Sequence, residues 1–249
     1  MATIRSRAMT GAWKVPALLL TAMVLAVTPA SAQEPGDEKM VGKEATEEEA
    51  TGAMPDLPER VLPADSKITK SATATILGQR VPYRVTTGTQ PVYGEDGATI
   101  AALHFTYYVR TDVSDNSSRP LFISFNGGPG SGSLWMHLGY TSPRQLMIDD
   151  EGFPVQPYGV RENPHSILDV ADIVYVNPVN TGFSRILDDE IDRKTFFGVE
   201  ADITYLADWI DVFVSRAKRW RSPKYLIGES YGTTRVSGLA GELQNRHWM

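Results

Sequence analysis

Residues 224–235, KYLIGESYGTTR, carry the clearest structural signal in the chain. KYLI is a short apolar run typical of a buried strand, and it leads into the pattern G-x-S-x-G, with Gly228 and Gly232 on either side of Ser230. Such a turn is sharp and strained, so it needs both glycines to avoid clashes and leaves the serine hydroxyl exposed. The stretch therefore predicts a strand, a tight elbow and a helix, with Ser230 as a nucleophile.

Other strand patterns lie upstream. PLFISFN at 120–126 and ADIVYVN at 171–177 are short and apolar, which favours a parallel sheet buried on both faces. Residues 72–93 and 98–111 alternate apolar and polar side chains and predict two or three antiparallel strands, with glycines as turn signals. These glycines are Gly78, Gly88, Gly94 and Gly97.

A helical period runs through residues 198–220, where one apolar face is predicted to pack on the sheet. Antiparallel strands followed by a β-α-β-α series indicate an α/β fold, in which ligands gather beyond the carboxyl ends of the parallel strands. The loops FNGGPGSGS, VNPVNTGFSR and GESYGTTR all follow such ends, so we expect them to lie near one another. The apolar helix positions are Val199, Ile203, Leu206, Ile210 and Phe213.

The glycine-rich loop NGGPGSGS, residues 126–133, predicts backbone N–H groups around an anion. It lacks the Lys-Ser or Lys-Thr pair of a phosphate-binding P-loop, and its glycines do not fit G-x-G-x-x-G. With a serine nucleophile elsewhere, such a loop supplies one N–H of an oxyanion hole, and Tyr231, the residue after the nucleophile, supplies the other. The expected anion is therefore a transient oxyanion.

Three motifs in this order and spacing, NGGPGSGS, NPVNTGFS and GESYGTTR, resemble the serine carboxypeptidase family (peptidase family S10) of the α/β-hydrolase fold. The resemblance covers roughly residues 80–249 and corresponds to the N-terminal half of the fold, with antiparallel leading strands and then parallel β-α-β units. It implies a serine-type carboxypeptidase that hydrolyses C-terminal peptide bonds through an acyl-enzyme. It implies no cofactor and no metal, and a peptide with a free C-terminus as the partner.

Carried over by position, the resemblance gives roles to five residues. Ser230 is the nucleophile, and Gly128 and Tyr231 give the oxyanion N–H groups. Asn126 and Glu229 hydrogen-bond the terminal carboxylate of the substrate. A glutamic acid can do so only when protonated, since two carboxylates repel, so the resemblance implies activity favoured at acidic pH.

Three departures from the family pattern are present, and one of them is Asn177, which stands where the usual acid before Pro-Val would be. Ser131 stands where relatives usually have a cysteine after GGPG, so the usual disulfide is absent. Tyr140 stands where many relatives carry a second glutamate that binds the carboxylate. An esterase or an acyltransferase on the same fold is therefore an alternative function.

The first sixty residues are expected to lie outside this domain. Residues 1–32 combine basic residues, a short apolar run and the small-residue site Ala-Ser-Ala, the pattern of a secretory signal peptide. Residues 33–60 form an acidic, solvated linker, with nine acidic and three basic residues between Glu34 and Arg60. Residues 61–249 form the domain, exported to the periplasm or secreted, with no membrane contact after signal cleavage and no basic patch for nucleic acid. Oligomeric state is unknown from the sequence.

The catalytic Asp and His of the family are expected beyond residue 249. The family order is Ser, then Asp, then His, but no Asp follows Ser230 and the only His there is His247. A serine without a base is a weak nucleophile, so the chain alone is expected to be inactive or nearly so, as a truncated fragment. A non-catalytic short protein that binds through the exposed loops is a third hypothesis.

Overall fold

The structure is a computed structural model that describes residues 62–188 and 190–249. The signal peptide expected at 1–32 and the linker expected at 33–60 lie outside the described residues.

The strands form one large mixed sheet and one small sheet. The seven-stranded sheet has the order β1-β2-β3-β7-β4-β9, with the short β8 beside β3, and β5 and β6 pair separately. The strands are β1 (Ser66–Ile76), β2 (Gln79–Tyr93), β3 (Thr99–Arg110), β4 (Leu121–Phe125), β5 (Arg144–Leu146), β6 (Val160–Glu162), β7 (Asp172–Val176), β8 (Arg185–Ile186) and β9 (Lys224–Gly228).

Both predicted classes of strand are present. β1, β2 and β3 are antiparallel neighbours, whereas β4 lies between β7 and β9 and is parallel to both. Every residue of β7 is buried, as expected for an apolar strand covered on both faces. The same expectation was wrong for β9, which lies at the edge of the sheet and leaves Tyr225 exposed. Leu121 is in register with both Asp172 and Lys224, so the three parallel strands end at nearly the same level. Their carboxyl ends therefore present three loops at one edge of the sheet.

Two α-helices cover one face of the sheet, α1 (Val199–Arg216) and α2 (Tyr231–Arg246). Trp209 and Phe213 of α1 stack with ring centroids 5.2 Å apart, and both rings contact Phe105 of β3. The predicted core face was only partly right, because Val199 at the first turn is exposed. Shorter helices are a π-helix at Trp135–Thr141 and 3₁₀-helices at Ile167–Asp169 and Arg193–Thr195.

Among the glycines expected at turns, one was assigned wrongly. Gly78 and Gly97 have φ of 78° and 80° and lie in the turns after β1 and β2. Gly88, by contrast, lies inside β2, where a Cβ would collide with the Ser66 carbonyl oxygen of β1. It is therefore required for close approach of two strands and not for a turn.

The amino ends of the parallel strands are tied by a buried carboxylate. Asp172 Oδ2 accepts from Arg219 Nη1 at 2.6 Å, and its Oδ1 accepts from Arg119 Nε at 3.0 Å. Asp172 is fully buried, and Arg219 is nearly so. This network lies at the opposite end of the sheet from the three loops.

No helix in residues 62–188 or 190–249 is long and apolar enough to cross a membrane.

Candidate active site

The elbow predicted around Ser230 is present. Ser230 has φ 55° and ψ −126°, a strained conformation for a residue with a side chain, and it directly precedes α2. A Cβ on Gly228 would collide with the Gly232 carbonyl group, and a Cβ on Gly232 would lie 3.0 Å from the Phe125 carbonyl oxygen. Gly228 is thus sterically required, the position of Gly232 is tight against β4, and Ser230 is exposed at the carboxyl edge of the sheet.

The glycine-rich loop packs directly on this elbow. A Cβ on Gly127 would lie 2.5 Å from the Tyr231 nitrogen and 2.7 Å from the Glu229 carbonyl oxygen. The next residue, Gly128, has φ 94°, which a side chain would disfavour. Gly128 and Tyr231 line a common cavity of about 280 Å³. The two residues expected to form the oxyanion hole therefore lie beside the same cavity.

Asn126 and Glu229, the expected carboxylate-binding pair, are in contact. The Met136 N–H donates to Asn126 Oδ1 at 3.0 Å, which fixes the orientation of the amide. The amino group Nδ2 then donates to Glu229 Oε2 at 3.1 Å. Asn126 is buried and Glu229 is exposed, so the pair has one anchored member and one member open to solvent.

A second cavity of about 380 Å³ lies on the Glu229 side of the site. Trp135 and Tyr140 line it together with Glu229, and both aromatic side chains are partly exposed. Tyr140, which stands where many relatives were expected to carry a second glutamate, therefore faces the same space as Glu229. Each cavity is thus lined by a residue next to Ser230 in the sequence: Tyr231 lines the first and Glu229 the second.

Asn177 joins the loop after β7, residues 177–184, to the glycine-rich loop. The Ser133 N–H donates to Asn177 Oδ1 at 2.8 Å, so Nδ2 of this amide faces His104 Nδ1 at 3.2 Å. His104 Nδ1 must then accept, which places its proton on Nε2, 3.0 Å from Thr87 Oγ1. Burial lowers the pKa of His104 and favours this neutral form. The three loops expected to meet do so.

Sequence patterns missed a buried ion pair behind the site. Arg235 Nε donates to Asp202 Oδ2 at 2.7 Å, and both residues are buried. Asp202 lies one position from Ile203 of the predicted apolar face, and no local signal marked it as buried. Its burial follows from its position opposite Arg235, which lies on the neighbouring helix α2.

None of the histidines in the described residues hydrogen-bonds Ser230. His137 Nε2 lies 2.8 Å from the Tyr108 hydroxyl, and its ring stacks on Tyr175; burial lowers the pKa of His137 to about 4. His247 lies 3.1 Å from Asp211 of α1, and His165 is exposed in a loop. Within residues 62–188 and 190–249, no cluster of His, Asp and Glu is placed to hold a metal ion.

Comparison with known proteins places this geometry in a family. The sequence profile described as serine carboxypeptidase matches residues 95–248, which include all three loops and the elbow. The chain belongs to the serine carboxypeptidase family.

Relatives of this serine carboxypeptidase chain come from plants and animals. It is 28% identical over 148 residues to serine carboxypeptidase-like 36 of Arabidopsis thaliana, covering 57% of this chain and 28% of the relative. It is also 28% identical over 141 residues to the lysosomal protective protein of Mus musculus, covering 55% of this chain and 27% of the relative. The matched region thus spans just over a quarter of the length of these relatives.

Among solved structures, the chain resembles Kex1(Δ)p, a prohormone-processing carboxypeptidase from Saccharomyces cerevisiae. The TM-score is 0.54 at 22% sequence identity, and the match covers 67% of this chain and 35% of that protein. This likeness establishes the fold: the expected α/β-hydrolase architecture, over its N-terminal part, is confirmed.

Proposed function

We propose that this chain forms the nucleophile-bearing part of a serine-type carboxypeptidase that hydrolyses C-terminal peptide bonds. Ser230 attacks the last peptide carbonyl and forms an acyl-enzyme, while the terminal residue leaves as the free amino acid. The N–H groups of Gly128 and Tyr231 stabilise the oxyanion that develops on the carbonyl oxygen. Water then hydrolyses the acyl-enzyme.

The contact between Asn126 and Glu229 carries this proposal. The Nδ2 group of Asn126 has two N–H bonds, and the one hydrogen bond found for it among the described residues goes to Glu229. Its other N–H bond can donate to a substrate carboxylate, and a protonated Glu229 can donate a second hydrogen bond. Such a pair beside a serine elbow recognises a free C-terminus in preference to an amidated one.

This recognition accounts for the acidic preference implied by the family. A carboxyl group binds a second carboxylate well only when one of the two carries a proton. The affinity for peptide is therefore expected to fall as the pH rises, while the affinity for a substrate without a free carboxylate is not.

The base and the acid that orients it are proposed to come from sequence beyond residue 249. The hydrogen bonds of His104, His137 and His247 go to other residues, and none of them goes to Ser230. The matched relatives are more than three times as long as the regions they share with this chain, which leaves room for the two further triad members. Export through the signal-like residues 1–32 also remains part of this proposal.

The test compares an N-blocked dipeptide with a free carboxylate and the same dipeptide as its C-terminal amide, using the full-length protein. We expect turnover of the first substrate only, and we expect Ser230→Ala to abolish both turnover and labelling by a fluorophosphonate. Ser237→Ala is the matched control, because Ser237 lies on α2 and, among the described residues, its hydroxyl donates only to the Thr233 carbonyl oxygen, at 2.8 Å. Equal turnover of acid and amide, or labelling that survives Ser230→Ala, would contradict the proposal.

Tyr140 favours a second candidate, an esterase or acyltransferase with the same nucleophile. It lines the cavity next to Glu229 where many relatives carry another carboxyl group. A site with one carboxyl group discriminates less strongly for a terminal carboxylate. Faster turnover of an alkyl ester without a free carboxylate than of the dipeptide would favour this candidate, and loss of both activities in Ser230→Ala is required by either.

A further inference from the structure

The buried ion pair behind the glycine-rich loop has no part in the roles proposed above. Arg235 of α2 is 1% exposed and its Nε donates to Asp202 of α1. A buried ion pair is not by itself a source of net stability, because desolvation of the two charges offsets much of their attraction. The contacts of the two terminal nitrogens of Arg235 show which segment of the chain the ion pair positions.

The two terminal nitrogens of Arg235 fix the glycine-rich loop at two points. Nη1 donates to the Asn126 carbonyl oxygen at 2.8 Å, and Nη2 donates to the Pro129 carbonyl oxygen at 3.4 Å. These carbonyls flank Gly127 and Gly128, so one planar fork spans the segment that carries the Gly128 N–H. A guanidinium can hold two acceptors in a fixed relation, whereas a lysine ammonium acts as a single point.

The same side chain contacts the residue that carries the second N–H. The guanidinium carbon of Arg235 lies 5.3 Å from the centre of the Tyr231 ring, one helical turn earlier on α2. The Tyr205 hydroxyl donates to Asp202 Oδ1 at 3.2 Å and accepts from the Val179 N–H at 3.1 Å. The Arg235 guanidinium is thus held by the Asp202 carboxylate of α1. Tyr205 joins that carboxylate to Val179 in the loop after β7.

We infer that Arg235, held by Asp202, is a positioning residue that sets the separation of the Gly128 and Tyr231 N–H groups. This inference rests on the proposed function, since it concerns the same oxyanion hole. The hole is filled only when the oxyanion forms, so its distortion lowers kcat and leaves substrate affinity nearly unchanged. A misplacement of about 1 Å at a reacting centre can cost about 100-fold in rate.

The test is Arg235→Lys in the full-length protein, with Arg219→Lys as the matched control. Arg219 is also buried, donates to the buried carboxylate of Asp172 at 2.6 Å and donates to the Arg119 carbonyl oxygen at 2.6 Å. Its network lies at the opposite end of the sheet. A purely structural role predicts that both variants lower the melting temperature and leave kcat of the folded protein unchanged.

We expect Arg235→Lys to lower kcat on the blocked dipeptide by about 10- to 100-fold with KM within about twofold, whereas Arg219→Lys keeps the wild-type kcat. A peptide aldehyde, whose adduct with Ser230 places an oxygen in the hole, is expected to lose affinity by the same factor. If Arg235→Lys does not fold, Asp202→Asn, which keeps the size of the side chain, replaces it with the same expectations.

Three results would overturn the inference. The first is an unchanged kcat in Arg235→Lys while Ser230→Ala is inactive, which overturns the inference but not the proposed function. Where Arg235→Lys does not fold, the same result in Asp202→Asn has the same meaning. The second is a loss of rate in Arg219→Lys equal to that in the test variant. The third is turnover that survives Ser230→Ala, which overturns the proposed function and the inference with it.

Discussion

The Asn126 amide donates a hydrogen bond of 3.1 Å to the Glu229 carboxyl group across 103 residues of sequence. The contact exists because β4 and β9 are parallel neighbours, with Phe125 in register with Gly228. The residue after each strand therefore emerges at the same edge of the sheet. This strand pairing places the amide, the carboxyl group and the serine elbow side by side.

Glu229→Gln is expected to flatten the pH dependence of KM for the blocked dipeptide. The Gln amide donates to a carboxylate at any pH, whereas a carboxyl group must first bind a proton. We expect the wild-type KM to rise as the pH rises and that of the variant to change less than about twofold over the same pH range. Initial rates across this range give the result, with Glu242→Gln on α2 as the control. An equal rise in all three proteins would contradict it.

Gly127→Ala is expected to lower kcat by about 100-fold or more, because the new Cβ would force the glycine-rich loop away from the elbow. The Cβ would lie 2.5 Å from the Tyr231 nitrogen, where no side-chain atom fits. Gly130→Ala is the matched control in the same loop, since its Cβ would have no neighbour within 4 Å. Steady-state kinetics on both variants test the expectation, and a similar kcat in the two would count against it.

His137 is expected to make stability fall as the pH decreases from 6.5 to about 4. The folded state lowers its pKa from 6.5 to about 4, so in this interval the unfolded chain binds a proton that the folded chain does not. The contribution of neutral His137 to the free energy of unfolding is therefore fully present above pH 6.5. About 3 kcal/mol of it is lost by the time the pH has fallen to about 4. Burial lowers the pKa of His104 too, which acts in the same direction.

Urea unfolding at several pH values measures this slope. His137→Gln keeps a polar partner for the Tyr108 hydroxyl and is expected to reduce the slope, while His165→Gln in an exposed loop leaves it as in the wild type. A slope that His137→Gln does not alter would rule out His137 as its source.

Asp172→Asn is expected to destabilise the protein without lowering kcat of the folded fraction. The change leaves Arg119 and Arg219 without their shared carboxylate, and breaking one side of a buried pair typically costs about 3–5 kcal/mol. Asp112→Asn removes the exposed partner of Arg110 and is expected to have a much smaller effect. Thermal unfolding compares the two, and equal melting temperatures would contradict the expectation.

Local steric rules made much of this site predictable. Gly228 and Gly232 around Ser230 indicate an elbow, and a Cβ on Gly228 would collide with the Gly232 carbonyl group within the turn itself. Gly88 shows the limit of the same rule, since a glycine required by a neighbouring strand has the same sequence signal as a glycine in a turn. Val199 shows another limit: the period of a helix predicts its apolar face but not where the sheet beneath it ends.

The strand, elbow and helix around Ser230, the parallel strands before it and the three loops at their ends could all be predicted from the amino-acid sequence. These features depend on steric and apolar patterns within about 20 consecutive residues. The contact of Asn126 with Glu229 and the burial of Asp202 against Arg235 depend on the tertiary structure. Those contacts join distant residues, and a hydrogen bond forms only when strand register and helix packing bring its two atoms within about 3 Å.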